Sequence, residues 1–186
     1  MHLNRTKSNH NHKLLIKFNY ENRDCCLSFT DDKTFGDEFV KLDYPFQNYD
    51  KIVGSSDGLL CLLDYYGLEY VVLWNPSIRR FLKLLKSCSS VTKACHLLWF
   101  DFGFGFDHMS NGYKVVKIMD AKDNHRRCVM HRVELFALIT GSWRSICIGD
   151  LCYELYGFDS LPAFMNGAAH WVVFNLRKLC QTIKLM

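Results

Sequence analysis

The sequence predicts an all-β fold built from repeated small antiparallel sheets. Three observations carry this expectation. Apolar residues recur mostly at period two. Turn residues punctuate them at hairpin spacing. A similar unit returns about every 54 residues. No segment shows an apolar helical stripe with caps at its ends.

The elements follow in order. Residues 14–18 and 25–29 read as two strands joined by the polar turn 19–24. Leu59 to Leu63 is a continuous apolar run bounded by turn residues, as expected of a central strand. Tyr70 to Trp74 is the next strand. It ends at Asn75-Pro76-Ser77, where proline presets φ for the second turn position. Ser77 to Leu85 has apolar spacing that a helix could use, but the Asn-Pro turn and the flanking strands favour a hairpin return. From Phe100 to Asp107 the alternation is strict, with Phe100, Phe102, Phe104 and Phe106 on one face and Asp101, Gly103, Gly105 and Asp107 on the other. Val133, Leu135 and Ala137 alternate with Glu134, Phe136 and Leu138, so this strand is expected to be buried on both faces. Thr140-Gly141-Ser142 separates it from Trp143 to Ile148.

Gly58-Leu59, Gly112-Tyr113 and Gly167-Ala168 each open a unit: a glycine turn, an apolar strand, a second strand, a turn, then an aromatic and a basic residue. The period lies near the longer end of propeller blades, and three or four strands per unit suit radial stacking. Three segments result: a polar flexible stretch 1–13, a β domain 14–175 and a basic tail 176–186.

A hydrophobic fraction of 49% with 15% aromatics over 186 residues supports one ordered domain with a real core. The net charge of +4 and a pI near 8.5 are too mild for a nucleic-acid surface, and the densest basic spots, Arg79-Arg80 and Arg126-Arg127, are only pairs. Leu14-Leu15-Ile16 is too short for a signal-peptide core, and no stretch approaches a membrane span. The expectation is a cytoplasmic or nuclear protein with no nucleic-acid or membrane partner and with its nine cysteines reduced.

Candidate chemistry is thin. Trp74, Trp143 and Trp171 could form an aromatic platform for a sugar or peptide, but their repeated positions read as core anchors whose indole N–H groups find carbonyls. His2, His10 and His12 lie in the polar N-terminal stretch. Cys88, Cys95 and His96, like Cys128 and His131, lack the paired Cys-x-x-Cys spacing of a zinc site, so no metal or cofactor is expected. Gly103-Phe104-Gly105 leads into no helix and is not a dinucleotide loop. Its glycines are read as letting bulky neighbours of the next sheet approach. Asp101 and Asp107 stand about 20 Å apart at strand rise, too far for a glycosidase pair, and are read as strand-end turn acids. Recognition is expected of loops. Asp64-Tyr65-Tyr66-Gly67 places Tyr65 and Tyr66 in a turn as candidate protein contacts, and Asp120 to Arg127 would form a polar rim.

Ile52 to Leu62, reading IVGSSDGLLCL, and Tyr70 to Arg80, reading YVVLWNPSIRR, resemble the opening signatures of the F-box-associated domain of plant F-box proteins. Phe102 to Asp107 with Gly112 to Ile118, Val133 to Phe136 with Ser142 to Arg144, and Phe164 to Trp171 resemble that family's later signatures, in the family's order, over roughly residues 46–174. Within them Gly58, Trp74, Asn75, Pro76, Gly103, Gly105, Trp143, Gly167 and Trp171 are the structural positions. The resemblance implies a β-propeller-like fold that captures a protein for ubiquitination. An N-terminal F-box in such proteins binds the Skp adaptor of a cullin ubiquitin ligase. This sequence opens on Met1-His2-Leu3-Asn4-Arg5, similar to the segment after an F-box, and departs from the family after Trp171. The expectation is therefore a truncated substrate-recognition module and not an enzyme, with a Skp-type adaptor as partner only if an F-box lies upstream. The alternatives are a free-standing interaction protein competing with full-length relatives, and a sugar-binding propeller.

Overall fold

The computed structural model describes residues 13–21, 23–30, 39–42, 49–64, 70–87, 95–123, 129–146, 162–165, 167–175 and 178–185. Every regular element among them is a β-strand, and every sheet is an antiparallel meander of consecutive strands. The all-β expectation holds because period-two patterning places alternate side chains on opposite faces of each strand. The chain divides into two compact units, Met1–Tyr49 and Asp50–Met186.

The first unit holds β1 (Lys13–Tyr20), β2 (Arg23–Thr30) and β3 (Phe39–Leu42), in that order across the sheet. Phe29 and Phe39 are register partners with ring centroids 5.9 Å apart. Cys26 is fully buried, and burial pushes its thiol up to about 11, tempered by the nearby Lys17 charge. Leu14, Ile16, Phe18 and Tyr20 share one face of β1 and remain exposed.

The second unit holds three sheets. The first runs β4 (Tyr49–Ser56), β5 (Leu59–Asp64), β6 (Val71–Asn75) and β7 (Arg80–Lys83). The turn before β7 confirms a hairpin return over a helix. The second comprises β8 (Cys95–Asp107), β9 (Gly112–Asp123), β10 (Val129–Ala137) and β11 (Ser142–Ile146). The third comprises β12 (Ala163–Met165), β13 (Ala168–Asn175) and β14 (Lys178–Leu185). The repeat glycines Gly58, Gly112 and Gly167 stand at or just before the second strand of each sheet, which explains the period.

Two readings are corrected here. Residues 176–186 are not a basic tail, because Lys178–Leu185 is β14 and pairs along β13, with Trp171 opposite Ile183. Asp120 to Asp123 is not loop but the end of β9, where Asp120 is buried.

The β8–β11 sheet is packed on both faces. Phe102, Phe104, Val115, Phe136 and Trp143 join Val53, Cys61, Leu63, Leu73 and Leu84 in one core cluster. The intervening residues Val116, Ile118, Val133 and Leu135 join Ala169 and Trp171 in a second. Val133 to Phe136 is buried on both faces, as expected, and the buried stretch includes the carboxylate of Glu134. The bare face of β8 serves close packing. A Cβ on Gly103 would lie 2.9 Å from Ala169 Cβ and 3.0 Å from the Trp171 ring, and one on Gly105 would overlap the Phe164 ring.

Candidate functional site

Five hairpin turns of the second unit gather at one end of their sheets. In a meander, alternate turns share an end, so the β4–β5 and β6–β7 turns lie together, as do β8–β9 and β10–β11. Tyr113, at the start of β9, donates its hydroxyl to Asp57 of the β4–β5 turn at 3.3 Å. Gly167, before β13, lies against Asp107, its missing Cβ 3.2 Å from Asp107 Oδ1. These two contacts align all three sheets.

The turns repeat one design. Residues 76–79, 108–111 and 138–141 are four-residue loops closed by the register pairs Asn75–Arg80, Asp107–Gly112 and Ala137–Ser142. The fourth residue of each is left-handed: Arg79 at φ 52, Asn111 at φ 50 and Gly141 at φ 63. Asn75 Oδ1 accepts the backbone N–H groups of Ser77 and Ile78 at 3.0 and 3.3 Å. Asp107 accepts those of Met109 and Ser110 at 3.0 and 3.3 Å, and the Ser110 hydroxyl at 2.6 Å. Both side chains stand at the same place in their loops and satisfy the same donors. Asp107 also pairs with Lys114. The Lys114 and Ser110 hydrogen bonds hold its carboxyl well below the usual carboxylate range. In the β4–β5 turn, Asp57 (φ 48) and Gly58 (φ 78) both have the positive φ of a type I′ hairpin. At Asn111-Gly112 the asparagine bends the chain. A Cβ on Gly112 would meet Ile139 Cδ1 at 2.7 Å, so the exposed isoleucine would have to shift to admit one.

The tryptophans are core anchors. Trp74 is 2% exposed. Trp143 donates its indole N–H to the Leu85 carbonyl at 2.6 Å. Trp171 uses a carboxylate where a carbonyl was expected, donating to Asp101 Oδ2 at 3.0 Å. Asp107 is the turn acid the pattern suggested, but Asp101 is buried mid-strand, where Oδ1 also takes Lys51 at 2.9 Å. Other buried charge is bound in the same manner. His131 Nδ1 lies 2.7 Å from its register partner Asp120. Glu134 accepts the Ser87 hydroxyl, which in turn accepts from Lys117 at 3.1 Å. Cys61 is fully buried and its thiol is pushed far up by desolvation. The geometry joins these groups to one another as structural polar contacts.

Tyr65, Tyr66, Arg126, Arg127, Cys88, Cys128, His2, His10 and His12 lie outside the described residues. The turn end supplies what the loop argument missed. Its tips carry Met109 (95% exposed), Ile139 (68%), Met165 (57%) and Ile78 (52%). The available signal was a bulky apolar residue inside each four-residue turn, where polar residues are usual. Beside the β10–β11 turn a groove of about 310 Å³ is lined by Gly112, Lys114, Leu135, Ala137, Ile139 and Arg144, among others.

The model of the "F-box associated beta propeller domain" family matches residues 4–183. The chain belongs to this family. It is 41% identical to an F-box protein of Arabidopsis thaliana over 65% of this chain and 32% of that protein. An F-box/kelch-repeat protein of the same plant is 26% identical over 67% of this chain and 32% of its own length, and another F-box protein is 29% identical over 63% and 27%. The chain thus spans about a third of the length of these curated relatives. No solved structure matches it. The match extends past Trp171 to the strand that the sequence reading had set apart from the family.

Proposed function

We propose that this F-box-associated domain is the target-binding module of a cullin–F-box ubiquitin ligase. The observation that carries the reading is the family match over nearly the whole chain, from residue 4 to 183, together with relatives named as F-box proteins. The architecture supports it. Tight turns on rigid, fully packed sheets present apolar tips to solvent, and exposed loops on a rigid scaffold are suited to recognition. The mechanism is binding: the domain holds a target protein while separate subunits transfer ubiquitin. A Skp-type adaptor belongs to the F-box, and it is a partner of this protein only where an F-box lies upstream of this domain.

The test is affinity capture of the tagged chain from plant cells treated with a proteasome inhibitor, followed by half-life measurements on the captured proteins. At least one captured protein should live longer when the gene is silenced. Unchanged half-lives for every captured protein would overturn the reading.

A further inference from the structure

We infer that the groove beside the β10–β11 turn binds an acidic peptide segment carrying a bulky apolar side chain. The inference rests on the target-binding reading and names the chemistry of the target. Leu135 and Ala137 of β10, register partners of Val116 and Lys114, give the groove an apolar lining together with Gly112 of β9. Ile139 closes one side, and glycine at 112 is what permits it to lie so near. A volume of about 310 Å³ is at the lower end for a ligand pocket and accepts one large side chain with its backbone.

The charge at the edge selects the flanking residues. Among the described residues two cations line the groove and no carboxylate does. Lys114 is already held by Asp107. Arg144 stands exposed on β11, opposite Leu135 in register. Its guanidinium is a planar fork that matches a carboxylate in two parallel hydrogen bonds. A basic segment would meet the Arg144 charge and is disfavoured. A sugar is disfavoured for a different reason. Among the described residues Tyr113 is the only aromatic one that lines the groove. Its ring is stacked on Phe104 at 5.9 Å and meets Phe106 edge-on at 5.1 Å, so it is committed to the ring cluster of β8. At the neighbouring tip, the unbranched and exposed Met109 gives the site an adaptable rim.

The test uses the full chain and labelled synthetic peptides in fluorescence anisotropy. One peptide has a central leucine flanked by glutamates, a second replaces the glutamates by lysines, and a third replaces the leucine by alanine. The first should bind at least about tenfold more tightly than either other, with affinity falling as salt rises. R144E should abolish that preference, R144K should keep part of it, and I139D should weaken binding, all with the unfolding midpoint nearly unchanged because both side chains are exposed. Equal affinity for the glutamate and lysine peptides, or an unaffected R144E chain, would overturn the inference. If that happens while the chain still captures a short-lived protein in cells, target binding stands and only the groove fails. A chain that discriminates the peptides but captures no short-lived protein supports the groove and overturns the ligase reading.

Discussion

Trp171 on β13 donates its indole N–H to Asp101 on β8, and the other oxygen of that carboxylate takes Lys51 from β4. One buried side chain therefore links strands of all three sheets in the second unit. The arrangement satisfies a buried indole that would otherwise lose its hydrogen bond to water. It also gives the buried carboxylate a cationic partner.

Removing Asp101 should thus cost more than its size suggests. Asp101→Ala leaves a buried N–H without an acceptor, a loss of about 1–3 kcal/mol before the lost ion pair is counted. In a Trp171→Phe background, which has no N–H to strand, the same substitution should cost measurably less. Urea denaturation of the four chains checks this, and strict additivity would show that the bond contributes nothing.

Gly105 offers a steric counterpart. Alanine there would drive a methyl group into the Phe164 ring. Gly105→Ala should destabilise by about 1–3 kcal/mol, the usual cost of overpacking. Shortening the ring with Phe164→Leu should recover part of that loss in the double variant. Equilibrium unfolding of the single and double variants is the measurement, and a neutral Gly105→Ala would overturn the packing account.

The contrast between these residues shows what a sequence can disclose. The alternation from Phe100 to Asp107 places Asp101 on one face with Gly103 and Gly105, where the glycines suggest close approach of a neighbouring sheet and the acid reads as a strand-end turn residue. That face is covered by β12 and β13, for which the two glycines make room as their pattern suggests, and only the fold reveals that Asp101 receives a tryptophan. The strands, the Asn75-Pro76 return and the repeat glycines were legible because they are local. β14 was not. Its lysines and glutamine mimic a solvated tail, and its strand character comes from pairing with β13. The candidate groove was illegible for the same reason, since Gly112, Leu135 and Arg144 come from three strands.

The four-residue turns yield a paired prediction. Arg79 and Gly141 hold the same left-handed place in equivalent loops. A side chain in that region costs roughly 1–2 kcal/mol relative to glycine. Arg79→Gly should therefore leave stability unchanged or raise it slightly, the relief being offset by the freer unfolded chain. Gly141→Ala should lower stability by about 1 kcal/mol, although nothing lies within 4 Å of the added methyl. Thermal unfolding of the two variants separates backbone conformation from contact. Equal effects of the same sign would remove the equivalence of the two loops.

The last prediction concerns acid. Asp107 caps the backbone N–H groups of Met109 and Ser110 and pairs with Lys114, and its folded carboxyl titrates below the ordinary carboxylate range. A depressed folded value means that the unfolded chain takes up the proton first as pH falls. The stabilisation is therefore fully present above the unfolded value of about 3.9 and is lost as pH drops below it toward the folded value. Asp107→Asn keeps an oxygen for the turn but loses the Lys114 pair, so it should be less stable than the parent at pH 7. The gap should narrow steadily below about pH 4, where the parent loses what the variant never had. Urea midpoints at a series of pH values provide the check. A gap that stays constant down to the lowest pH would assign the stabilisation to the shape of the turn instead of its charge.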